Sequence, residues 1–381
     1  MENRFQNVTR WSERLLILVF LITISSPGIS LIAGYGSDTT TVEKRELALF
    51  PKFSASSVLR APFRRGFEEY FNDHFGFRDM LVRMGSVVSV ELFKRSPNSK
   101  VAVGKNDWLF FLGDDILNDF QGKYQINNEA MNQIVDNIDK KQEWLANRDT
   151  DFYILVAPNK TTIYPELLPD SIRSSKGTTL LEQIAPRLEQ ESDIHFIDPR
   201  DTLIKAKSER LTYEKTGTHW NQYGAFLAYD MLIDEMRKDH PELTDADLST
   251  YKISQKVTGG SDLVILLSLQ EKMKDELVYL DPKKPRSATD AEVAFINPNQ
   301  KKDMPLVAKK TPYSDMPRAL IFRDSFANLL VPFLSEHFSR SVYVWIPLID
   351  ERIVEIEKPD IVILEITERF LYSTLYSDLQ D

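Results

Sequence analysis

One serine in this chain stands where a nucleophile could be raised above a sheet. In RALIFRDSFANLLVPFLSEHF (318–338), an apolar, strand-like run ends in Arg323-Asp324-Ser325 and continues as an amphipathic, helix-like stretch. A serine at such a turn presents its hydroxyl at the strand end, beside the free N–H groups of the following helix. That suits attack on an acyl group and stabilisation of the oxyanion that forms. Asp and Ser are also favoured helix caps, so the same residues also read as an ordinary N-cap.

A serine needs a base, and the chain offers 5 histidines. His219 stands apart, in the polar, turn-like segment YEKTGTHWN (213–221) just before a helix that begins near Gln222. His74 falls in a helical region and His240 precedes Pro241. His337 closes a helix where a cation favours the dipole, and His195 alternates with apolar neighbours in a strand. These four read as structural or solvated, and His219 taken alone is open to the same reading. No His/Asp/Glu cluster has a familiar ligand spacing, so no metal is expected. With Cys 0, disulfides, thiolate metal sites, iron–sulfur clusters and cysteine nucleophiles drop out. No cofactor is expected.

Positioning a serine and a histidine more than a hundred residues apart requires a sizeable scaffold. The 381 residues suffice for one large domain or two ordinary ones, and 42% hydrophobic with 27% charged residues matches a folded globular chain. Apolar β-type runs at Trp108–Leu112, Phe152–Ala157, Ile194–Ile197, Ala319–Phe322, Val342–Ile346 and Ile361–Ile366 alternate with amphipathic stretches. These lie at Glu129–Asn147, Thr178–Gln190, Tyr223–Lys238, Phe326–Phe338 and Asp350–Glu357. Strands alternating with helices imply βαβ units: an α/β fold with a mostly parallel sheet covered on both faces. Ligands in such folds sit beyond the carboxyl ends of the strands. Asn159 and Lys160, Asp198, the Arg323-Asp324-Ser325 turn, and Glu365, Thr367 and Glu368 all fall there. With 47 Lys+Arg against 57 Asp+Glu, net −10, the chain offers no broad basic surface, and nucleic acid is not an expected partner.

The N-terminus reads differently. Leu15 to Ala33 carries no charge and, at 1.5 Å per residue, reaches about 28 Å, close to the bilayer hydrocarbon thickness. Arg4, Arg10 and Arg14 precede it, which places the N-terminus in the cytoplasm and the rest of the chain outside. A cleaved signal peptide is the alternative, and it exports the body as well. The expected organisation is a cytoplasmic tail (1–14), a transmembrane anchor (15–34), a juxtamembrane linker with an amphipathic helical region (35–95), and the α/β domain (96–381). No further module is expected after the last strand.

Five stretches together resemble the SGNH-hydrolase-like polysaccharide O-acetyltransferases, the AlgJ and AlgX family of alginate acetylation. They are FNDHFGFRD (71–79), GKNDWLFF (104–111), TGTHWNQYGAFLAY (216–229), GGSDLVILL (259–267) and FRDSF (322–326). The resemblance implies an SGNH-like three-layer sandwich after an N-terminal transmembrane helix. It also implies Ser325 as the acetyl-accepting nucleophile and His219 as general base. The polysaccharide would be the substrate, with acetyl groups supplied by a membrane-bound O-acyltransferase partner, in a single-pass protein of the cytoplasmic membrane whose catalytic domain is periplasmic or extracellular. One departure stands out. The family usually places an Asp two residues before the histidine, where this chain has Gly217. Asp198, Glu365 and Glu368 are the candidates to orient the ring in its stead.

For the oxyanion hole the expected donors are the N–H of Ser325 or Phe326 and the Asn159 side chain, with Asp324 shaping the turn. Trp220 is a candidate sugar platform or a core residue, and Arg323 either attracts an anionic polymer or pairs with Asp324. With water as acceptor the same residues make a carbohydrate acetylesterase. The glycine at 217 also leaves open a non-catalytic polysaccharide-binding scaffold.

Overall fold

The computed structural model describes residues 2–32, 47–53, 60–74, 77–190, 194–293, 295 and 305–377. The end of the expected anchor (33–34), part of the expected linker (35–46 and 54–59) and the centre of FNDHFGFRD (75–76) lie outside these residues. The chain divides into two compact units, 1–97 with 265–269, and 98–264 with 270–381.

The first unit is helical. Its N-terminal helix, Glu2–Ile32, contains an 18-residue window, Glu13–Ser30, long and apolar enough to cross a membrane; its Leu15 to Leu21 side chains are exposed. A second helix, Ala61–Asp73, starts on Pro62 in its first turn and stacks Phe63, Phe67 and Phe71 along one side. A third, Arg78–Val87, continues into a π-helical turn, Val88–Leu92.

The second unit is an α/β sandwich. Strands β1 (Val101–Val103) and β2 (Leu109–Phe111) form a small antiparallel pair. β3 (Asp151–Ala157) and β4 (His195–Ile197) join the central sheet, whereas β5 (Tyr251–Gly259) and β6 (Lys274–Pro282) form a separate long hairpin. β7 (Thr289–Asp290), β8 (Val307–Lys310), β9 (Arg318–Phe322), β10 (Arg340–Val344) and β11 (Ile361–Thr367) complete the sheet in the order β4-β3-β11-β9-β10-β8-β7. The five strands from β4 to β10 are parallel; β8 and β7 are antiparallel at one edge.

Successive side chains of a strand point to opposite faces, and each face here has its own core. Tyr153, Leu155 and Ala157 pack with Trp220, Phe226 and Phe333 on one side. Phe152, Ile154 and Val156 pack with Ile138, Leu181, Val354 and Leu371 on the other. Burial on both faces explains why the central strands read as unbroken apolar runs.

Two expectations need correction, and one element has no counterpart among them. The Trp108–Leu112 run is a strand, but it pairs with β1 outside the main sheet. The β5–β6 hairpin was not anticipated, because its strands are half polar and mostly exposed on one side. Phe326–Phe338 is not one helix but a 3₁₀ turn (Phe326–Leu329), a short α-turn (Val331–Leu334) and another 3₁₀ turn (Ser335–His337). Pro332 has no N–H and its ring crowds the preceding turn, so the α-turn must restart there.

Candidate active site

β9 lies between β11 and β10, and its parallel register sets Phe322 beside Leu364. The chain then leaves the sheet through Arg323-Asp324-Ser325, next to the residues that end β11. Asp324 organises the turn. Its N–H donates to Glu365 (3.0 Å), Oδ1 accepts from Phe326 N–H (2.9 Å), and Oδ2 accepts from the Thr367 N–H (2.9 Å) and hydroxyl. Arg323 is fully buried; it reaches Asn328 Oδ1 (2.7 Å) and lies 4.1 Å from the Trp345 ring. It cannot attract a polymer, since no part of it meets solvent. Ser325, partly exposed, is left facing outward on a rigid platform.

The histidine arrives from a loop that folds back on itself at the Tyr213–Trp220 bridge and feeds into the helix Gln222–Met236. Asn221 caps that helix, accepting from Tyr223 and Gly224 N–H (2.9 and 3.0 Å). Gly224 allows the helix to abut the Thr212 carbonyl, where any Cβ would collide. The loop is also held from outside. Asp275 on β6, almost fully buried, accepts from Lys215 N–H (3.0 Å) and from Thr216 N–H and hydroxyl (2.7 and 2.6 Å). Lys160, buried after β3, donates to the carbonyls of Leu109, Lys215 and Gly217 at 2.6–2.9 Å. Burial pushes this amine down to about 7, but three carbonyl partners call for the three N–H groups of the protonated form.

These supports bring the two residues together. His219 Nε2 lies 2.8 Å from Ser325 Oγ, with the imidazole against Phe326 (ring centroids 4.7 Å apart) and 28% exposed. On its other side, Nδ1 faces Asp262 Oδ2 at 3.9 Å, longer than a hydrogen bond but within electrostatic reach. Asp262 opens a short helix, Asp262–Leu266, and its Oδ1 accepts from Thr218 N–H (2.8 Å) and its neighbour Leu263 N–H (3.0 Å). Burial holds the imidazole below its ordinary range, opposed by the Asp262 charge. A neutral ring with Nδ1–H toward the carboxylate leaves Nε2 free to accept the serine proton.

Asp262 stands where Asp198, Glu365 or Glu368 was expected. Those three carboxylates are committed elsewhere. Asp198 pairs with Arg200 (2.5 Å), Glu365 accepts from Asp324 N–H, and Glu368 accepts from Asn159 N–H (2.6 Å) and the Thr162 hydroxyl (2.7 Å). Burial pushes Glu368 up to about 7 and Glu365 well above the usual carboxylate range. Sequence reasoning missed Asp262 although it lies in GGSDLVILL, because nothing local ties that stretch to the histidine. At Gly217 itself, a Cβ would strike the Glu214 carboxylate and lie 2.9 Å from Ser261 Cβ. Glu214, half-buried and pushed up to about 7 by desolvation, fills the space an acidic side chain at 217 would need.

Other expectations also shift. Trp220 is no sugar platform; it is fully buried, with Nε1–H donating to the Phe326 carbonyl (3.0 Å). The Phe326 N–H is engaged by Asp324, so it is not a free oxyanion donor. Asn159 is buried, and its side-chain oxygen has no hydrogen-bond partner among the described residues. Among those residues no group of three or more His, Asp or Glu side chains could hold a metal.

Residues 101–307 match the model of the family described as SGNH hydrolase-like domain, acetyltransferase AlgX. The chain belongs to that family. It is 23% identical over 267 residues to the probable alginate O-acetylase AlgJ of Pseudomonas aeruginosa, a match covering 69% of this chain and 66% of that protein. It is 24% identical over 183 residues to the protein of the same name from Azotobacter vinelandii, covering 47% and 44% respectively. The chain thus spans just under two thirds of the first of these relatives and under half of the second. Bacillus cereus PatB1, solved with a sulfonyl adduct, superimposes with a TM-score of 0.53 at 17% identity, over 73% of this chain and 96% of that one. That likeness shows the shared SGNH-like fold.

Proposed function

We propose that the chain is an O-acetyltransferase that moves acetyl groups onto hydroxyls of an exported polysaccharide through an acetyl-serine intermediate. The 2.8 Å approach of His219 Nε2 to Ser325 Oγ carries this reading, and the AlgX-type family match and the AlgJ relatives support it. Ser325 Oγ attacks the acetyl carbonyl as His219 takes its proton. The tetrahedral adduct collapses to acetyl-Ser325, and the donor's leaving group takes the proton from His219. A sugar hydroxyl then gives its proton to His219 and attacks the ester, and the imidazolium returns the proton to Ser325 as it leaves. Asp262 is a positioning residue that steadies the ring and the imidazolium. The Ser325 N–H and the Asn159 amide are the proposed oxyanion donors.

The N-terminal helix serves as a membrane anchor in this reading, with the catalytic unit on the periplasmic or extracellular side and a membrane-bound O-acyltransferase supplying acetyl groups. Because His219 is partly exposed, acetyl-Ser325 also hydrolyses slowly when no acceptor is present. The test is to incubate the full chain in detergent with an activated acetyl ester and measure its intact mass. One added acetyl group, mapped to Ser325 and absent from Ser325→Ala, is expected. An unmodified wild-type mass under conditions of ester turnover refutes the proposal.

A further inference from the structure

A cavity lies past the end of β11, two residues beyond Thr367, which bonds the Asp324 turn. It measures about 830 Å³, toward the upper end of the ~300–1,000 Å³ typical of small-ligand sites, and lies between the 114–126 segment and the start of the C-terminal helix Glu368–Tyr376. Arg369 joins the two places. It lines the cavity, its guanidinium is 5.8 Å from the Phe326 ring, and that ring packs on His219. The Arg369 side chain is only 9% exposed, yet its Nε and Nη1 make no hydrogen bond among the described residues; its nearest carboxylate is Asp114, at 3.5 Å. Buried donors of this kind are met by a water or by an acceptor on a bound molecule. The remaining lining mixes aromatic, aliphatic, acidic and other polar side chains. Tyr372 stacks on Tyr376 (5.2 Å, 14° between planes), a fixed flat surface of the sort that packs against a pyranose face. Asp115 carries the Tyr124 hydroxyl (2.5 Å), and Asp119 accepts from Leu180 N–H (2.7 Å).

We propose that this cleft seats the acceptor and is built for a neutral pyranose chain rather than a polyuronate. Three carboxylates face the space against two cations, Arg369 and Lys123, on a chain of net −10. A polymer with a carboxylate on every sugar meets like charge there, whereas neutral sugars offer hydroxyls that donate to the aspartates and ring oxygens that accept from Arg369. The inference deepens the acetyl-transfer reading by naming its acceptor class, and it is tested by binding alone.

The full chain carrying Ser325→Ala, in detergent at low salt, is titrated with cello- and manno-oligosaccharides. Glucuronate and mannuronate oligomers of the same linkage and length are titrated in parallel. At least one neutral series is expected to bind about tenfold tighter than its carboxylate counterpart. Tyr372→Leu, which keeps the packing and removes the ring, weakens that binding about tenfold, and Asp115→Asn narrows the gap between the two series. Equal or tighter binding of the charged oligomers, no binding of either series at millimolar concentration, or a folded Tyr372→Leu protein with unchanged affinity overturns the inference. Selective neutral binding by a protein whose wild type never forms acetyl-Ser325 upholds the cleft and refutes the acetyl-transfer reading instead.

Discussion

The serine and the histidine are held by opposite strategies. Ser325 leaves β9 three residues after a central strand, and its turn is locked by Asp324, Glu365 and Thr367, all at the ends of adjoining strands. His219 sits on a loop whose rigidity is borrowed. Asp275 and Asp262 come from the β5–β6 region and Lys160 from beyond β3. The serine is therefore fixed by the sheet itself, while the histidine depends on a hairpin outside it. With glycine at 217, the Ser325–His219 contact stands beside Asp262 from the β5–β6 region.

The largest effect tests the shared endpoint of both strategies. Ser325→Ala removes the acceptor of the acetyl group and lowers kcat by roughly 10⁴-fold or more, read by ester turnover, with the melting temperature little changed. Next comes the borrowed support. Asp275→Ala strands several buried donors of the histidine loop, which costs about 2–4 kcal/mol in chemical unfolding and roughly 10²-fold in kcat, whereas a folded variant of wild-type activity shows the hairpin to be dispensable.

Asp262→Asn probes the displaced acid. At 3.9 Å and 44% exposed, it steers His219 less firmly than a fully bonded triad carboxylate, whose loss costs about 10⁴-fold, so a fall of only about 10- to 10²-fold is expected. Its pH signature is separate from any structural loss. Burial holds the His219 ring below 6.5, so activity persists into mildly acidic solution and fades as pH drops through the lowered value and the ring gains its proton. Asp262 raises that value, so Asp262→Asn shifts the acid limb of the kcat/KM profile to still lower pH. An upward shift contradicts the assignment. Gly217→Asp on that background gives no recovery while Glu214 fills the space, and recovery appears only when Glu214→Ala is added. The smallest change is Trp220→Phe, which loses one hydrogen bond to the Phe326 carbonyl, about 1 kcal/mol by denaturant titration, and leaves acceptor affinity unaltered because the ring is core.

The parts of the fold that could be read in advance share one property. Strands β3, β9, β10 and β11 are buried on both faces and are therefore mostly apolar, so their positions stood out, as did the serine at the end of one of them. The β5–β6 hairpin, with exposed Lys252, Gln255 and Lys256, carries no such run. Arg323 and Trp220 are ambiguous in the sequence for the same reason in reverse. A cation and an indole look equally suited to surface or core until the packing around them is known.

The order of residues along this chain determined an α/β sheet with a serine at a strand end, a histidine before a helix, and an apolar N-terminal segment, because periodicity and turn chemistry act over a few neighbouring positions. Only the tertiary structure decided which carboxylate faces the imidazole and which buried cation supports its loop. Those contacts join residues 43 to 57 positions apart, and the free energy that selects among them comes from packing and desolvation of the whole unit rather than from any local pattern.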